Sequence, residues 1–66
     1  MRLDSISRLD GHYCKIRTIH GDALFGRLTR LSHDTFELIE PVDERTVAWF
    51  YAAEVATVTP TDPPRR

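Results

Sequence analysis

The chain has 66 residues, of which 41% are hydrophobic, and its nine basic and ten acidic residues give a formal net charge of −1 at pH 7. This length allows one domain, which buries only about 60% of the surface of its unfolded chain, so association with further copies would help to stabilise it. The length also excludes a two-domain enzyme. The globular composition argues against a disordered chain, and the single cysteine excludes a disulfide framework and a zinc knuckle.

The first predicted element is a short amphipathic helix. Leu3, Ile6 and Leu9 recur at every third position and form one apolar stripe over two helical turns. Asp4 or Ser5 is suited to cap the start of this helix. We expect it to end at the glycine that follows the stripe, Gly11.

Two strands joined by a short turn are predicted next. The run from His12 to Ile19 is rich in β-forming residues that alternate between two faces. One of these faces carries Cys14, Ile16 and Thr18. A polar turn at positions 20–22 leads into a second run, Ala23 to Leu31, so the pair predicts a hairpin. Gly26 inside this run indicates a sharp bend or bulge, which lets one strand serve two sides of a small closed barrel.

Three further strands complete the predicted elements. The third covers Thr35 to Glu40 and ends at Pro41, because proline cannot donate a hydrogen bond to a sheet. The fourth, Thr46 to Ala52, carries apolar side chains on both faces, which predicts burial or pairing on both. The fifth covers Val55 to Thr59 and is followed by a proline-containing segment.

These elements favour an all-β domain with a short N-terminal helix over residues 1–60, followed by a flexible proline and arginine tail at 61–66. A β-sandwich needs about seven strands, which is more than this chain provides. We therefore predict a small, strongly bent, five-stranded barrel of SH3-like or OB-like type.

Charge is divided unequally along the chain. Up to Arg30, six basic and three acidic residues sum to +3, whereas residues 31–62 contain seven acids and Arg45 as the single base. Phosphate affinity rises with each cation that displaces counterions, so a phosphate-binding surface would use the arginines of the first half. The alternative is a mixed, solvated surface without such a role.

Catalytic and metal chemistry have little support in this sequence. His12 and His20 flank Cys14 on one face of a strand, but eight strand residues span roughly 26 Å, too far for shared ligation. His33 and Asp34 are adjacent in a turn and have no accompanying nucleophile. We expect no enzyme activity, no metal and no other cofactor.

No apolar run approaches the ~20 residues that cross a bilayer, and no signal-peptide hydrophobic region is visible, so we expect a cytoplasmic protein without a membrane partner.

Two segments carry a resemblance to a known family. Residues 21–28 read GDALFGRL and are similar to the first Sm motif, in which a turn glycine and a strand glycine flank an apolar position. Residues 50–60 read FYAAEVATVTP and are similar to the second motif as found in bacterial Hfq. The resemblance to the Sm/LSm family covers residues 3–60 and is closest to divergent Hfq proteins of cyanobacterial type. It implies the Sm fold, a five-stranded, strongly bent, SH3-like barrel.

The resemblance also implies assembly and RNA binding. Sm-like subunits pair the fourth strand of one copy with the fifth of the next, and the resulting homohexamer or homoheptamer ring presents RNA with a pore and a distal face. A fourth strand that is apolar on both faces supports such a contact, and the alternative is an internal partner strand. The expected interface residues are Val47, Trp49, Phe50, Val55 and Val58.

The second motif departs from the family pattern at its uridine site. Typical Hfq carries a tyrosine, a lysine and a histidine where this chain has Tyr51, Ala52 and Ala53, and the asparagine and Arg-Gly pair of typical Sm proteins are absent. Each lost charge-assisted hydrogen bond removes about 1.5–3 kcal/mol of binding, so RNA would depend on aromatic stacking and on arginines elsewhere. The expected RNA-binding residues are Arg17, Phe25, Arg27, Arg30 and Tyr51.

Two functions are consistent with this sequence. The leading one is an Hfq-like RNA chaperone or small-RNA regulator, which the family resemblance and the positive first half favour. The other is a protein-interaction module that keeps the ring and has lost ordinary RNA binding, which the missing polar residues and the acidic second half favour. Phe25 likewise has an alternative role, packing under the helix or at a subunit joint.

Overall fold

A computed structural model describes residues 3–63 and contains one short helix, α1, and five strands. The elements are α1 (Leu3–Ser7), β1 (Tyr13–Thr18), β2 (Ala23–Arg30), β3 (Thr35–Glu40), β4 (Arg45–Tyr51) and β5 (Val55–Pro60), with a 3₁₀ turn at Ala52–Glu54. All five predicted strands are present, with ends shifted by at most one residue. The first two residues of the predicted domain and the last three of the predicted tail lie outside the described residues.

The strands form one antiparallel sheet in the order β4-β3-β2-β1-β5. A mostly-β chain with a short N-terminal helix is therefore confirmed, and the element order is consistent with Sm-like topology. Strands β4 and β5 lie at opposite ends of this order, so within residues 3–63 each has a neighbouring strand on one side only.

The hydrophobic core lies between α1 and one face of the sheet. The predicted alternation of β1 is confirmed, since its inward side chains are buried and its outward ones are not. The buried hydrophobic residues are Ile6, Cys14, Ile16, Leu28, Phe36, Leu38, Phe50, Ala52 and Val55. Phe36 and Phe50 are register partners across β3 and β4, and their rings stack with centroids 6.1 Å apart. Leu3 and Leu9 pack beside Ile6 against this core, which confirms the predicted helical stripe.

The helix differs from its prediction at both ends. It begins at Leu3, so Asp4 and Ser5 lie inside the helix and are not its caps. It ends at Ser7, and the chain continues in a tighter turn in which the Leu9 N–H donates to the Ile6 carbonyl at 3.0 Å. This i to i+3 bonding keeps Leu9 above the core although the α-helical hydrogen bonds have ended.

Gly26 lies at a close approach of β2 to β3. A Cβ atom at this position would be 2.9 Å from the Cβ of Leu38 and 3.2 Å from backbone atoms of Ile39. The pairing also shifts register between Arg17 and Thr18 and again between Leu38 and Ile39. Irregularities of this kind bend a strand and increase its twist. They lie in the β1–β5 and β3–β4 pairs, whereas the β1–β2 hairpin, for which the sequence predicts a bend or bulge, pairs in one continuous register.

In the single chain, β4 is covered on one face only, so the predicted burial or pairing on both faces is not completed within the described residues. Phe50 points into the core and is 4% exposed, but Val47, Trp49 and Tyr51 on the opposite face are exposed. This follows from the position of β4 at the edge of the sheet, where the described residues cover only its inner face.

The fifth strand extends one residue further than predicted. Pro60 belongs to β5 and is the register partner of Cys14. A proline is tolerated there because an edge strand can leave one of its N–H positions unused. Among the described residues, no helix is long and apolar enough to cross a membrane.

Candidate functional site

A cationic and aromatic surface lies on the outer face of β1 and β2. Lys15 and Phe25 are register partners, and the Lys15 Nζ atom lies 5.8 Å from the centre of the Phe25 ring. Phe25 is 48% exposed, and Arg17 is exposed at the next outward position of β1. Within residues 3–63 the Arg17 guanidinium has no hydrogen bond or ion pair. We call these three residues, Lys15, Arg17 and Phe25, the β1–β2 patch.

Arg27 also points outward from β2, but an acid neutralises it. Its Nη2 atom lies 2.8 Å from Oε2 of Glu44 in an ion pair. Glu44 adopts a φ of 56°, a left-handed conformation that non-glycine residues rarely occupy. A phosphate group would therefore have to compete with the Glu44 carboxylate for Arg27.

Arg30 closes the turn between β2 and β3. Its Nε atom donates to the carbonyl of Ser32 at 3.0 Å, and its Nη2 atom donates to the carbonyl of His33 at 2.8 Å. Its backbone N–H donates to Oδ1 of Asp10 at 3.1 Å, which links this turn to the segment after α1. Arg30 therefore holds the β2–β3 turn in place. The sequence predicts a polar turn after Arg30 but not this structural role of its side chain.

A second surface lies on the outer face of β4. It consists of the exposed side chains Val47, Trp49 and Tyr51, which we call the β4 patch. The rings of Trp49 and Tyr51 meet edge to face, with centroids 5.1 Å apart and an interplanar angle of 73°. The Tyr51 N–H donates to Oε2 of Glu54 at 2.8 Å, which secures the end of the strand.

The structure separates the predicted RNA-binding residues. Arg17 and Phe25 lie together in the β1–β2 patch, whereas Tyr51 lies on β4, at the far end of the strand order. Arg27 and Arg30 lie on β2 with their guanidinium groups engaged by other parts of the chain. Phe25 is exposed, so the described chain does not bury it under the helix.

The predicted interface residues also separate into two groups. Val47 and Trp49 are exposed at the β4 edge and are accessible to a second copy. Phe50 and Val55 are buried in the core of the chain itself, and Val58 packs against that core. The buried side chains of Phe50 and Val55 cannot contact another copy, so only their backbone could contribute to an interface.

A shallow groove lies at the end of the sheet where β1 begins and β5 ends. It has a volume of about 520 Å³, and its lining residues are Gly11, His12, Tyr13, Arg27, Pro41, Pro60, Thr61, Asp62 and Pro63. These residues come from separate segments of the chain, so no local pattern in the sequence could reveal the groove. Among residues 3–63, no three histidine, cysteine, aspartate or glutamate side chains lie together as metal ligands.

Comparisons of the chain with models of known families, with curated proteins and with solved structures find no match. The two patches and the strand order are therefore the observations from which a function can be inferred. Of the two patches, only the β1–β2 patch combines an exposed aromatic ring with cations, the pair of groups that binds a single-stranded nucleic acid.

Proposed function

We propose that the chain is an Sm-like subunit that assembles into a homohexameric or homoheptameric ring and binds RNA, as an Hfq-like RNA chaperone or small-RNA regulator does. The observation that carries this proposal is the strand order β4-β3-β2-β1-β5 after a short helix, with β4 and β5 at opposite edges. Two different edges on one subunit can pair head to tail, and a head-to-tail contact closes into a ring when its rotation allows.

The proposal includes a strongly bent, SH3-like Sm barrel. Gly26 supports this bend, since β2 and β3 approach there more closely than a side chain would permit. The two register irregularities, at Arg17/Thr18 and Leu38/Ile39, support it as well. A bent sheet also explains how a single face of five strands encloses a core that only one short helix covers.

RNA would bind at the β1–β2 patch. Phe25 offers a ring on which a base can stack, which contributes about 1–3 kcal/mol per base. Lys15 and Arg17 flank it with two positive charges that displace counterions from the RNA backbone. A ring would repeat the patch once in each subunit and would offer an RNA strand six or seven such sites.

The test of RNA binding combines mass determination by light scattering with fluorescence anisotropy. Labelled uridine-rich and adenosine-rich oligonucleotides are titrated at low and moderate salt. We expect binding that weakens steeply with salt, and a Lys15→Ala/Arg17→Ala variant that binds about tenfold more weakly and has a shallower salt dependence. Unchanged affinity in this variant would contradict the assignment.

Arg27→Ala and Arg30→Ala are matched controls. Each removes one positive charge from β2, but the guanidinium group that it removes is already engaged by the chain. We expect less than about a twofold change in RNA affinity for each, after circular dichroism has confirmed that the variant is folded. A loss as large as that of the double variant would place RNA elsewhere than the β1–β2 patch.

A specific observation favours the protein-interaction function as the second candidate. Two of the three predicted RNA-binding residues on β2, Arg27 and Arg30, are engaged within the chain. The largest exposed aromatic side chain, Trp49, lies instead in the acidic half of the sequence. A ring that binds neither oligonucleotide at low salt would favour this function over RNA binding.

A further inference from the structure

The β4 patch places two aromatic faces at one exposed point. Trp49 is 53% exposed and Tyr51 is 47% exposed. Their rings are separated by 5.1 Å between centroids and inclined by 73°, so they present two differently oriented π surfaces. The face of an aromatic ring carries negative electrostatic potential, and indole attracts cations most strongly.

A carboxylate lies beside these rings. Glu37 of β3 is the direct cross-strand partner of Trp49, a position where side chains on one face contact each other. The Thr46 hydroxyl donates to Oε2 of Glu37 at 3.3 Å and helps to orient it. Within residues 3–63, no cation forms an ion pair with Glu37.

The sequence segment that carries the β4 patch has an excess of acids. Residues 31–62, which include β3, β4 and β5, contain seven acids and one base, Arg45. Arg45 is paired in register with Glu40 at the other end of β4 from Tyr51. With Glu37 directly opposite Trp49, the charge beside the indole ring favours a cation over a phosphate group.

We propose that Trp49, Tyr51 and Glu37 form a binding site for an arginine side chain of a partner protein. A guanidinium group is planar and can stack on an indole ring while it donates two parallel hydrogen bonds to one carboxylate. A lysine ammonium lacks this shape and is more strongly hydrated. Val47, the third residue of the β4 patch, offers apolar surface for the aliphatic stem of the arginine.

This inference goes beyond RNA binding and does not depend on it. The β1–β2 patch is separated from the β4 patch by the strand order, so variants at one leave the other unchanged. Ring assembly would use the backbone edge of β4, whereas the arginine site lies on the outer face of the sheet. Failure of either proposal is therefore distinguishable from failure of the other.

The experiment uses Trp49 as its own reporter, because it is the single tryptophan of the chain. Purified protein is titrated with a short peptide whose one charged side chain is an arginine, and with versions that carry lysine or neutral citrulline in its place. We expect a saturable change in tryptophan emission with arginine, binding several-fold weaker with lysine, and none with citrulline. Equal binding of citrulline or lysine would overturn the proposal.

The Glu37→Gln variant tests the carboxylate directly and keeps Trp49 as the reporter. We expect it to bind the arginine peptide about threefold to tenfold more weakly. Glu44→Gln is the matched control, since it removes one exposed acid that is paired with Arg27 instead, and its affinity should be unchanged. If both variants lose the same affinity for the arginine peptide, the effect comes from net charge alone and the proposed site is wrong.

Two further measurements test what occupies the β4 patch. Trp49→Leu keeps an apolar side chain and removes the π face, so a labelled arginine peptide should lose most of its binding to a variant that circular dichroism shows to be folded. Acrylamide should quench Trp49 emission freely in the unliganded protein, and oligonucleotides should not alter that emission. If Trp49 emission is protected from acrylamide, a second copy covers the β4 patch. If oligonucleotides change that emission, RNA binds there. Either result would overturn the proposal.

Discussion

The sequence predicts the same RNA-binding role for Arg17, Arg27 and Arg30, but these three side chains have different surroundings in the structure. Arg27 pairs with Glu44, which lies 17 residues further along the chain. Arg30 binds two carbonyl groups of the turn that follows it. Arg17 is exposed and, within the described residues, free to bind a phosphate group. At the scale of single residues, the RNA-binding prediction therefore narrows to Arg17 with its neighbours Lys15 and Phe25.

Cys14 leads to a prediction of pH dependence. Burial raises the pKa of its thiol because the thiolate is poorly solvated in the core. In the unfolded chain the thiol ionises at about pH 8.5, whereas in the folded chain it stays protonated to higher pH. The unfolded state then binds fewer protons, so the free energy of unfolding should decrease as pH rises above about 8.5.

Urea unfolding between about pH 7 and about pH 10 measures this decrease. A Cys14→Ala variant is compared with the wild-type protein, so that the contribution of Cys14 is separated from every other pH dependence. The variant should be less stable at every pH because it loses buried volume, but its stability should fall less steeply with pH. Parallel curves for the two proteins would show that Cys14 ionisation is not involved.

At the scale of elements, β4 shows what a strand pattern can and cannot indicate. Its alternation correctly predicts a strand with Phe50 on one face and Val47, Trp49 and Tyr51 on the other. Its apolar character suggested cover on both faces, which the single chain provides on one only. The exposed face is therefore available to a partner, either another copy or a different protein.

The contact between β2 and β3 gives a prediction about Gly26. Replacement by alanine would place a methyl group 2.9 Å from the Leu38 Cβ, with the Ile39 backbone at 3.2 Å on another side. Backbone atoms cannot move aside without disturbing the pairing of the two strands. We expect Gly26→Ala to lower the free energy of unfolding by about 1–3 kcal/mol in denaturant titrations.

Thr29→Ala in the same strand is the control for Gly26→Ala. Thr29 is outside the buried core, so this change removes strand propensity without a steric conflict, and we expect a loss below about 1 kcal/mol. If Gly26→Ala is no more destabilising than Thr29→Ala, the close approach of β2 and β3 has no energetic significance.

At the scale of the whole molecule, two chemically different surfaces lie at different places in the strand order. The cationic β1–β2 patch lies next to the β5 edge, and the aromatic β4 patch lies at the opposite edge in the acidic half of the chain. The two free edges belong to different strands, β4 and β5, so they can pair head to tail as well as in a symmetric dimer. A domain of 7.6 kDa has little core to stabilise it alone, so such association would also contribute to its stability.

Val47→Lys tests the role of the β4 edge in assembly. We expect the wild-type protein to show a mass of six or seven times the 7.6 kDa of the chain in light scattering. A lysine on an exposed edge strand opposes strand pairing between copies, so Val47→Lys should shift the population towards smaller species. Ile19→Lys is the matched control, because Ile19 is 61% exposed but lies in the turn after β1. A wild-type monomer, or equal dissociation in both variants, would contradict the ring.

The sequence by itself determined the number, order and approximate ends of the strands and the inward positions of β1, such as Cys14 and Ile16. These features are local, because alternation, turn residues and proline act over a few neighbouring positions. Only the tertiary structure decided that Arg27 is paired, that Phe50 and Val55 are buried and that Trp49 and Tyr51 are exposed beside Glu37. Each of these depends on contacts between segments far apart in the chain, or on which strand lies at an edge, and neither is visible in a local pattern of residues.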